Sequence, residues 1–247
     1  ERVYFASGDL DANNMVLRKS KPVVTRQSLT NTVFNSGSEQ ELYRVQIGAD
    51  SAGTVALKQI VFNVSKSANV SLSGFKVYRN ASEITAADYT VYNAETGADL
   101  KTTGVPAATS SVRVAVAFTT SNSQESSIAG SGNTYSLRAT VSSTSGSGNN
   151  VTTSFFRDPT PTVVARAYLK NSSPVTSGGT TFVSNANVWN LDTGAVNGAP
   201  DGTADYLGTF LWSDNSEINH SSADQTSFDW TNDLLVEDLT QTSSVSN

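Results

Sequence analysis

The residues that could do chemistry are few, because the chain has one histidine and no cysteine. His220 stands in the polar run 219–222, close to Asp224, and we expect it to lie in a solvated loop. A catalytic histidine needs a nucleophile and an orienting carboxylate, but the chain has no Gly-x-Ser-x-Gly elbow. No spacing selects a glycosidase pair of carboxylates, and no glycine loop leads into a phosphate-binding lysine. The sequence therefore predicts that the protein is not an enzyme.

Two oxygen-rich stretches offer ligands for a hard cation such as calcium. Their candidate ligands are Asp9, Asp11 and Asn13 in the first stretch and Asp192, Asp201 and Asp205 in the second. The first stretch lacks the glycine and the later glutamate of an EF-hand loop. Because Asp and Asn also form turns and caps, two interpretations stay open: a calcium site, or turns that hold no cofactor.

Six Asn-x-Ser/Thr sequons could accept an N-linked glycan. They begin at Asn63, Asn69, Asn80, Asn150, Asn171 and Asn219. Ser and Thr make up 65 of the 247 residues, so several sequons would arise by chance. Charged residues are 15% of the chain, against about 25% in an ordinary soluble domain. This composition, without cysteine, predicts an extracellular or cell-surface protein, and the start at Glu1 predicts a processed chain or a piece of a longer one.

Charge is segregated along the chain, whose net charge is −6. Residues 1–170 contain all 16 Lys and Arg together with 12 acids, whereas residues 171–247 contain ten acids and no base. Nucleic-acid binding is disfavoured, because the acidic part would repel phosphate. The asymmetry fits either head-to-tail association between complementary ends or a random surface bias.

Apolar and polar residues alternate with a period of two over most of the chain, as in half-buried strands. The pattern is clearest in residues 42–47, 60–64, 112–118 and 134–141, and residues 206–212 are a further strand candidate. Turns rich in Gly, Ser and Asn separate these segments, and no stretch approaches the ~20 apolar residues of a membrane span. We predict an all-β fold, a β-sandwich of the Ig-like or jelly-roll-like kind with an extended N-terminal segment.

Composition divides the chain into a basic leader (residues 1–30), a β-rich body (31 to about 160) and a loop-rich, acidic C-terminal section (about 160 to 247). We predict that residues 31–247 form one continuous domain, because the C-terminal section has too few strong strands for a core of its own. The leader contains Pro22, which bars a central position in a sheet. Its candidate assembly residues are Met15, Leu17, Arg18, Lys19, Lys21, Val23 and Arg26.

We expect the leader to dock on a neighbouring copy as an added edge strand. In this hypothesis Met15, Leu17 and Val23 fill a groove, and the basic side chains meet acids of the neighbour's C-terminal section. A contact of this kind propagates into a fibre unless its rotation closes a ring. The alternative is that residues 15–29 form an ordinary first strand of their own sandwich.

Several short motifs are spread over residues 15–240, among them Leu17-Arg-Lys-Ser-Lys-Pro22, Glu41-Leu-Tyr-Arg-Val45, Phe210-Leu-Trp-Ser-Asp214 and Asp229-Trp-Thr-Asn232. In these motifs the chain resembles the repeated β-sandwich units of large surface proteins from uncultured, small-genome bacteria. The resemblance implies a structural role at or outside the cell surface, without catalytic residues. Residues 6–11, Ala-Ser-Gly-Asp-Leu-Asp, are similar to the mature start of camelysin-like matrix-fibre proteins.

Two functions therefore remain open from the sequence. The first is a structural subunit of an extracellular filament or surface array, which assembles with other copies of itself through the leader. The second is an adhesin or glycan-binding module of a larger surface protein. Trp212 and Trp230 stand near Asp and Asn and could stack on surface glycans, although a tryptophan in a sandwich is also a common core anchor.

Overall fold

The computed structural model describes residues 17–50, 53–119, 126–144, 146–157, 164–171, 175–177, 180–182, 188–193, 195–196, 199–203, 206–222, 226–233, 236 and 241–247. The regular structure in these residues is almost entirely β, in large antiparallel sheets that pack together. The predicted all-β sandwich is confirmed.

The leader and the body contain ten strands and one short helix, whose bounds follow in chain order. They are β1 (Pro22–Arg26), β2 (Ser38–Ala49), β3 (Thr54–Lys66), β4 (Val70–Arg79), β5 (Ser82–Glu83), β6 (Tyr89–Asn93), α1 (Leu100–Thr103), β7 (Ser111–Phe118), β8 (Ser126–Ala129), β9 (Asn133–Ser143) and β10 (Asn150–Phe155).

The C-terminal section contains shorter strands. They are β11 (Val164–Lys170), β12 (Val175–Ser177), β13 (Thr180–Phe182), β14 (Asn190–Asp192), β15 (Ala195–Val196), β16 (Ala199–Pro200), β17 (Tyr206–Leu207), β18 (Phe210–Ser213), β19 (Trp230–Asn232) and β20 (Thr242–Ser246).

Two large sheets form the sandwich. The smaller sheet has the order β1-β2-β9-β4-β5, and the larger runs β17-β14-β11-β19-β18-β3-β10-β20, with β7 and β8 also on β3 and β6 on β7. Both β7 and β8 lie along one edge of β3, while β10 and β18 lie along the other. Because β18 pairs with β3 and β20 pairs with β10, the C-terminal section adds strands to the sheet of the body.

The main core lies between the two sheets and is built from the inward side chains of the alternating strands. Three aromatic rings pack against one another there, with centroids 5.0–5.6 Å apart: those of Tyr43, Phe62 and Phe155. The opposite face of β3 is covered as well, since Ala56 packs with Trp189, Leu211 and other apolar side chains of the C-terminal section. Burial on both faces explains why β3 is nearly continuously buried along its length.

The predicted strand over residues 206–212 is two strands, β17 and β18, separated at Gly208 and Thr209. At this break the backbone N–H of Gly208 donates to the side chain of Asn190, and that of Thr209 donates to Asn232. A Cβ atom on Gly208 would collide with the carbonyl oxygen of Trp189, so glycine allows the close approach. Side-chain amides thus replace the ladder hydrogen bonds that the alternation predicts.

Candidate functional site

From Arg18 onward, the described part of the leader lies against its own chain. Strand β1 pairs antiparallel with β2, from Pro22 opposite Ala49 to Arg26 opposite Val45, and it forms the edge of the smaller sheet. An edge position suits Pro22, which has no N–H to donate. Within the single chain, the leader thus takes the place of an ordinary first strand, which is the alternative that the sequence left open, and docking on a neighbouring copy stays a prediction.

The apolar face of the leader is also the opposite of the predicted one. Leu17 is 91% exposed and Val23 is 47% exposed, whereas Pro22 and Val24 are buried. The register places Val24 opposite Ile47, whose side chain belongs to the core, so Val23 must point to solvent. Met15, the third predicted groove-filling residue, lies outside the described residues.

Arg18 is buried against two strands of the C-terminal section. Its Nη1 donates to the backbone oxygen of Asp229 at 3.3 Å, and its Nη2 donates to Oγ1 of Thr231. The same guanidinium lies 3.6 Å from Oδ1 of Asp214, with the two side chains only 4% and 1% exposed. Its central carbon stands 5.4 Å from the ring centroid of Trp212. This site surrounds a planar cation with oxygen acceptors and one aromatic face, and we call it the arginine site.

Asp214 contacts the leader at two points. Besides the ion pair with Arg18, its Oδ2 accepts a hydrogen bond of 2.9 Å from the backbone N–H of Lys19. Its Oδ1 accepts a weaker one of 3.3 Å from Ser216 in its own loop. A buried carboxylate needs such partners, because transfer out of water is costly for an unpaired charge. The leader therefore supplies much of the compensation for the burial of Asp214.

Asp229 and His220 form a hydrogen-bonded pair beside the arginine site. Nδ1 of His220 lies 2.9 Å from Oδ2 of Asp229, and the histidine side chain is only 14% exposed. Burial raises the pKa of Asp229, but hydrogen bonds from His220 and Ser213 and the charge of His220 lower it more, so its pKa lies below the usual value. The prediction of a solvated loop histidine is wrong.

This pair is not a serine-protease-like triad. Ser213 Oγ lies 3.5 Å from Nδ1 of His220, the same nitrogen that contacts Asp229. In a triad the nucleophile and the carboxylate bind different ring nitrogens. Ser213 is also fully buried, so no substrate reaches its hydroxyl.

Two further carboxylates hold the leader along its length. Oδ1 of Asp50 accepts a hydrogen bond of 2.9 Å from the hydroxyl of Ser20. Oε2 of the buried Glu41 accepts from the backbone N–H of Thr30 at 2.9 Å and from its hydroxyl at 3.1 Å. Together with Asp214, these groups fix the leader at its start and at its end.

The other predicted assembly residues make weaker or solvent-exposed contacts. Arg26 donates from Nε to the side-chain oxygen of Gln241 at 3.1 Å. Lys19 is exposed and Lys21 is half-buried. Of the basic side chains in the described part of the leader, residues 17–30, Arg18 is thus the one that lies in a buried site on the C-terminal section.

The predicted calcium ligands are only partly within the described residues. Asp192 is buried and its Oδ2 accepts from the N–H of Gly202, while Oδ1 of the exposed Asp201 accepts from the N–H of Thr203. Asp201 thus acts as a turn acceptor, whereas Asp192 connects the end of β14 to the loop at Gly202. Asp9, Asp11, Asn13 and Asp205 lie outside the described residues, within which no group of three metal-ligating side chains is found. The calcium site stays a prediction.

The six sequon asparagines differ in exposure. Asn69, Asn80, Asn150 and Asn219 are exposed, whereas Asn63 and Asn171 are half-buried. Asn63 lies in the middle of β3 and accepts a hydrogen bond of 2.8 Å from Arg113. Of the exposed four, Asn80 donates from Nδ2 to Asn133 at 2.7 Å, and the use of all six sequons stays a prediction.

All three tryptophans are buried, which removes the aromatic platform of the glycan-binding hypothesis. Trp212 and Trp230 are completely buried and Trp189 is 4% exposed. The ammonium of Lys58 lies over the ring of Trp189, 4.1 Å from its centroid. Nε1 of Trp230 donates to the carbonyl of Ser221. The tryptophans are core anchors, the alternative that the sequence left open.

The sequence contained one signal for the arginine site and missed the rest. Segregated charge predicted that leader bases meet acids of a neighbouring copy's C-terminal section, and in the structure Arg18 meets an acid of this kind, Asp214, in its own chain. Nothing in the sequence selected Asp214 among ten acids, or Thr231 and Trp212 as its companions. These residues stand about 200 positions from Arg18, so no local pattern connects them.

No protein-family model matches the chain, and no curated protein sequence is significantly similar to it. Within the described residues, no helix has both the length and the apolar character needed to cross a bilayer. Assignment of a function therefore depends on the geometry of the leader and the arginine site.

Proposed function

We propose that the protein is a structural subunit of a filament or surface array, located outside the cell or on its surface. In this assembly the leader of one copy occupies, on the next copy, the place that it holds here on its own chain. The observation that carries the proposal is the burial of Arg18 in the C-terminal section. A basic edge strand whose anchor is an acidic site on another part of the same chain is suited to exchange between copies.

The exchange is energetically inexpensive because the contacts are identical. A leader that leaves its own chain loses the β1–β2 hydrogen bonds, the burial of Val24 and the contacts of Arg18. The same leader regains these interactions when it binds to a neighbour. The balance then depends on the connection to β2 and on protein concentration. Because the donated segment and the receiving site are different surfaces, each copy both donates and receives, and the chain of contacts can propagate.

The connection between β1 and β2 offers a hinge. Asn31, Thr32 and Val33 are three consecutive exposed residues, and the buried Phe34 anchors the chain immediately after them. These residues are tied to the body, because the carbonyl oxygen of Asn31 accepts from Gln40 and that of Thr32 accepts from the N–H of Ser246. Fully extended, residues 27–33 span about 23 Å. Release of this segment breaks these hydrogen bonds and lets the leader up to Arg26 move to a neighbour while β2 and the core stay in place.

Composition and resemblance support the setting outside the cell. The chain has no cysteine and is rich in Ser and Thr, and it resembles repeated units of bacterial surface proteins in the motifs quoted above. Two of those motifs contain Arg18 and Asp214, the two partners of the buried ion pair. The proposal therefore assigns an assembly role to residues that also carry the resemblance.

Mixing two complementary variants tests the proposal. Arg18→Ala retains the receiving site but weakens the donated leader, and Asp214→Asn retains the leader but weakens the site. We expect ordered polymers of the unaltered chain in electron microscopy and none from either variant alone. A mixture should form one-to-one dimers by light scattering, because a single good junction forms between the two chains.

Arg26→Ala serves as the matched control, since Arg26 lies on the same leader but contacts Gln241 and not the arginine site. This variant should polymerise as the unaltered chain does. An unaltered chain that remains monomeric at high concentration, or a mixture without dimers, would contradict the proposal.

A further inference from the structure

We infer that the C-terminal section carries a binding site specific for an arginine side chain, with Arg18 as the occupant in this structure. The site itself is independent of polymerisation. Its use between copies rests on the proposed function and deepens it, because it names the residue by which a receiving copy recognises the donated strand. The ligand class is an arginine on an extended segment, with a second copy of this chain as the source.

Three kinds of group, all on strands β18 and β19 or next to one of their ends, define the specificity. The carboxylate of Asp214 supplies charge, and the backbone oxygen of Asp229 and the hydroxyl of Thr231 accept from two separate terminal nitrogens. The central carbon of the guanidinium lies over the ring of Trp212, 5.4 Å from its centroid. A lysine ammonium is a compact point charge without separate terminal nitrogens, so it cannot make the two separated hydrogen bonds while it lies over the ring.

The site is held in place by neighbours other than the leader. Asp229, whose backbone oxygen accepts from Arg18, is fixed through its side chain by His220 at 2.9 Å and by the N–H of Glu217 at 3.3 Å. Thr231 and Trp212 are opposite each other in the β18–β19 ladder, and both are fully buried. Because these supports do not involve the leader, Asp229, Thr231 and Trp212 stay arranged when the arginine side chain is removed. In that case Asp214 still accepts from the N–H of Lys19 and from that of Ser216.

An arginine site that keeps its shape should accept a free guanidinium. We expect Arg18→Ala to melt about 10 °C below the unaltered chain, because a buried ion pair has lost one partner. Methylguanidinium at a concentration about ten times its Kd should recover about 4 °C of this loss by binding only the folded state. Methylammonium at the same ionic strength should recover none.

Two further variants test whether the effect of methylguanidinium is specific to the arginine site. Arg26→Ala removes a half-buried arginine of the same leader that contacts Gln241 and not the arginine site, so methylguanidinium should not raise its melting temperature. Arg18→Lys preserves charge and stem, and we expect it to lose at least half as much melting temperature as Arg18→Ala. If Arg18→Ala does not fold, the stability of Arg18→Lys alone decides: a melting temperature equal to that of the unaltered chain would overturn the inference.

The inference is also overturned if methylguanidinium stabilises Arg18→Ala and Arg26→Ala equally, or neither of them. These outcomes are distinct from a failure of the proposed function. If methylguanidinium stabilises Arg18→Ala but the unaltered chain forms no polymers, the arginine site is established and the proposed filament is contradicted. If the unaltered chain polymerises but methylguanidinium does not stabilise Arg18→Ala, strand exchange is supported and the arginine specificity is overturned.

Discussion

The body and the C-terminal section bury different kinds of side chain. The core of the body is formed by alternating apolar residues on long strands, and the one buried carboxylate described there is that of Glu41. The C-terminal section has strands of two to seven residues, and four aspartates are buried in its described part. They are Asp192, Asp214, Asp229 and Asp233.

This difference indicates which part of the fold depends on specific hydrogen-bond partners. Apolar burial is non-directional and tolerates many arrangements of the same pattern. A buried carboxylate is stable only with particular donors at hydrogen-bond distance. The C-terminal section therefore depends on individual contacts, and for Asp214 two of those contacts come from the leader.

The largest expected effect is in the body. Phe62 is buried and packs against Tyr43 and Phe155 in the main core. We expect Phe62→Ala to lower the free energy of unfolding by about 3–5 kcal/mol, since it removes burial and leaves a cavity. Chemical denaturation followed by far-ultraviolet circular dichroism measures this change. A loss below that of Asp229→Asn would mean that the body does not depend mainly on apolar packing.

A smaller and pH-dependent effect is expected in the C-terminal section. The pKa of Asp229 is lower in the folded chain than in the unfolded chain, so its stabilising contribution is fully present above pH ~4 and is lost as the pH falls below that value. Asp229→Asn should cost about 1.5–3 kcal/mol at pH 7, because a hydrogen bond to a charged group is lost. At a pH below the folded pKa of Asp229 the variant and the unaltered chain should differ little.

Tryptophan emission measures this transition selectively, because all three tryptophans lie in the C-terminal section. We expect the emission to change at a higher pH than the circular dichroism of the body. In the body the pKa of Glu39 is also lowered, since Lys76 and Tyr78 outweigh the effect of burial, but Glu39 is partly exposed and solvent screens its contribution. Simultaneous changes of both signals would show that the two regions unfold as one unit.

The smallest effect is expected at an exposed arginine of the C-terminal section. Arg166 pairs with Glu217 at 3.1 Å, but the two side chains are 46% and 37% exposed. Arg166→Ala should therefore cost at most about 1 kcal/mol, well below the loss expected for the buried Arg18. Thermal unfolding of both variants under the same conditions makes the comparison. Equal losses would mean that burial does not set the strength of these ion pairs.

The fold was predictable where side-chain burial follows a local pattern. Residues 112–118 and 134–141 alternate regularly, and both segments lie within strands, β7 and β9. The pattern failed at residues 206–212, where side chains of Asn190 and Asn232 replace backbone partners. Those amides come from other strands of the fold, so the alternation contains no information about them.

The candidate site was predictable only in its charge. The sequence determined that the leader is basic, that the C-terminal section is acidic, and that the strands would form a sandwich. The tertiary structure decided that Val24 and not Val23 is buried, that Arg18 meets Asp214, and that His220 contacts Asp229. Alternation and charge are properties of neighbouring residues. The register of β1 on β2 is set only when the chain folds and its strands pair. The same holds for a contact between positions 18 and 214.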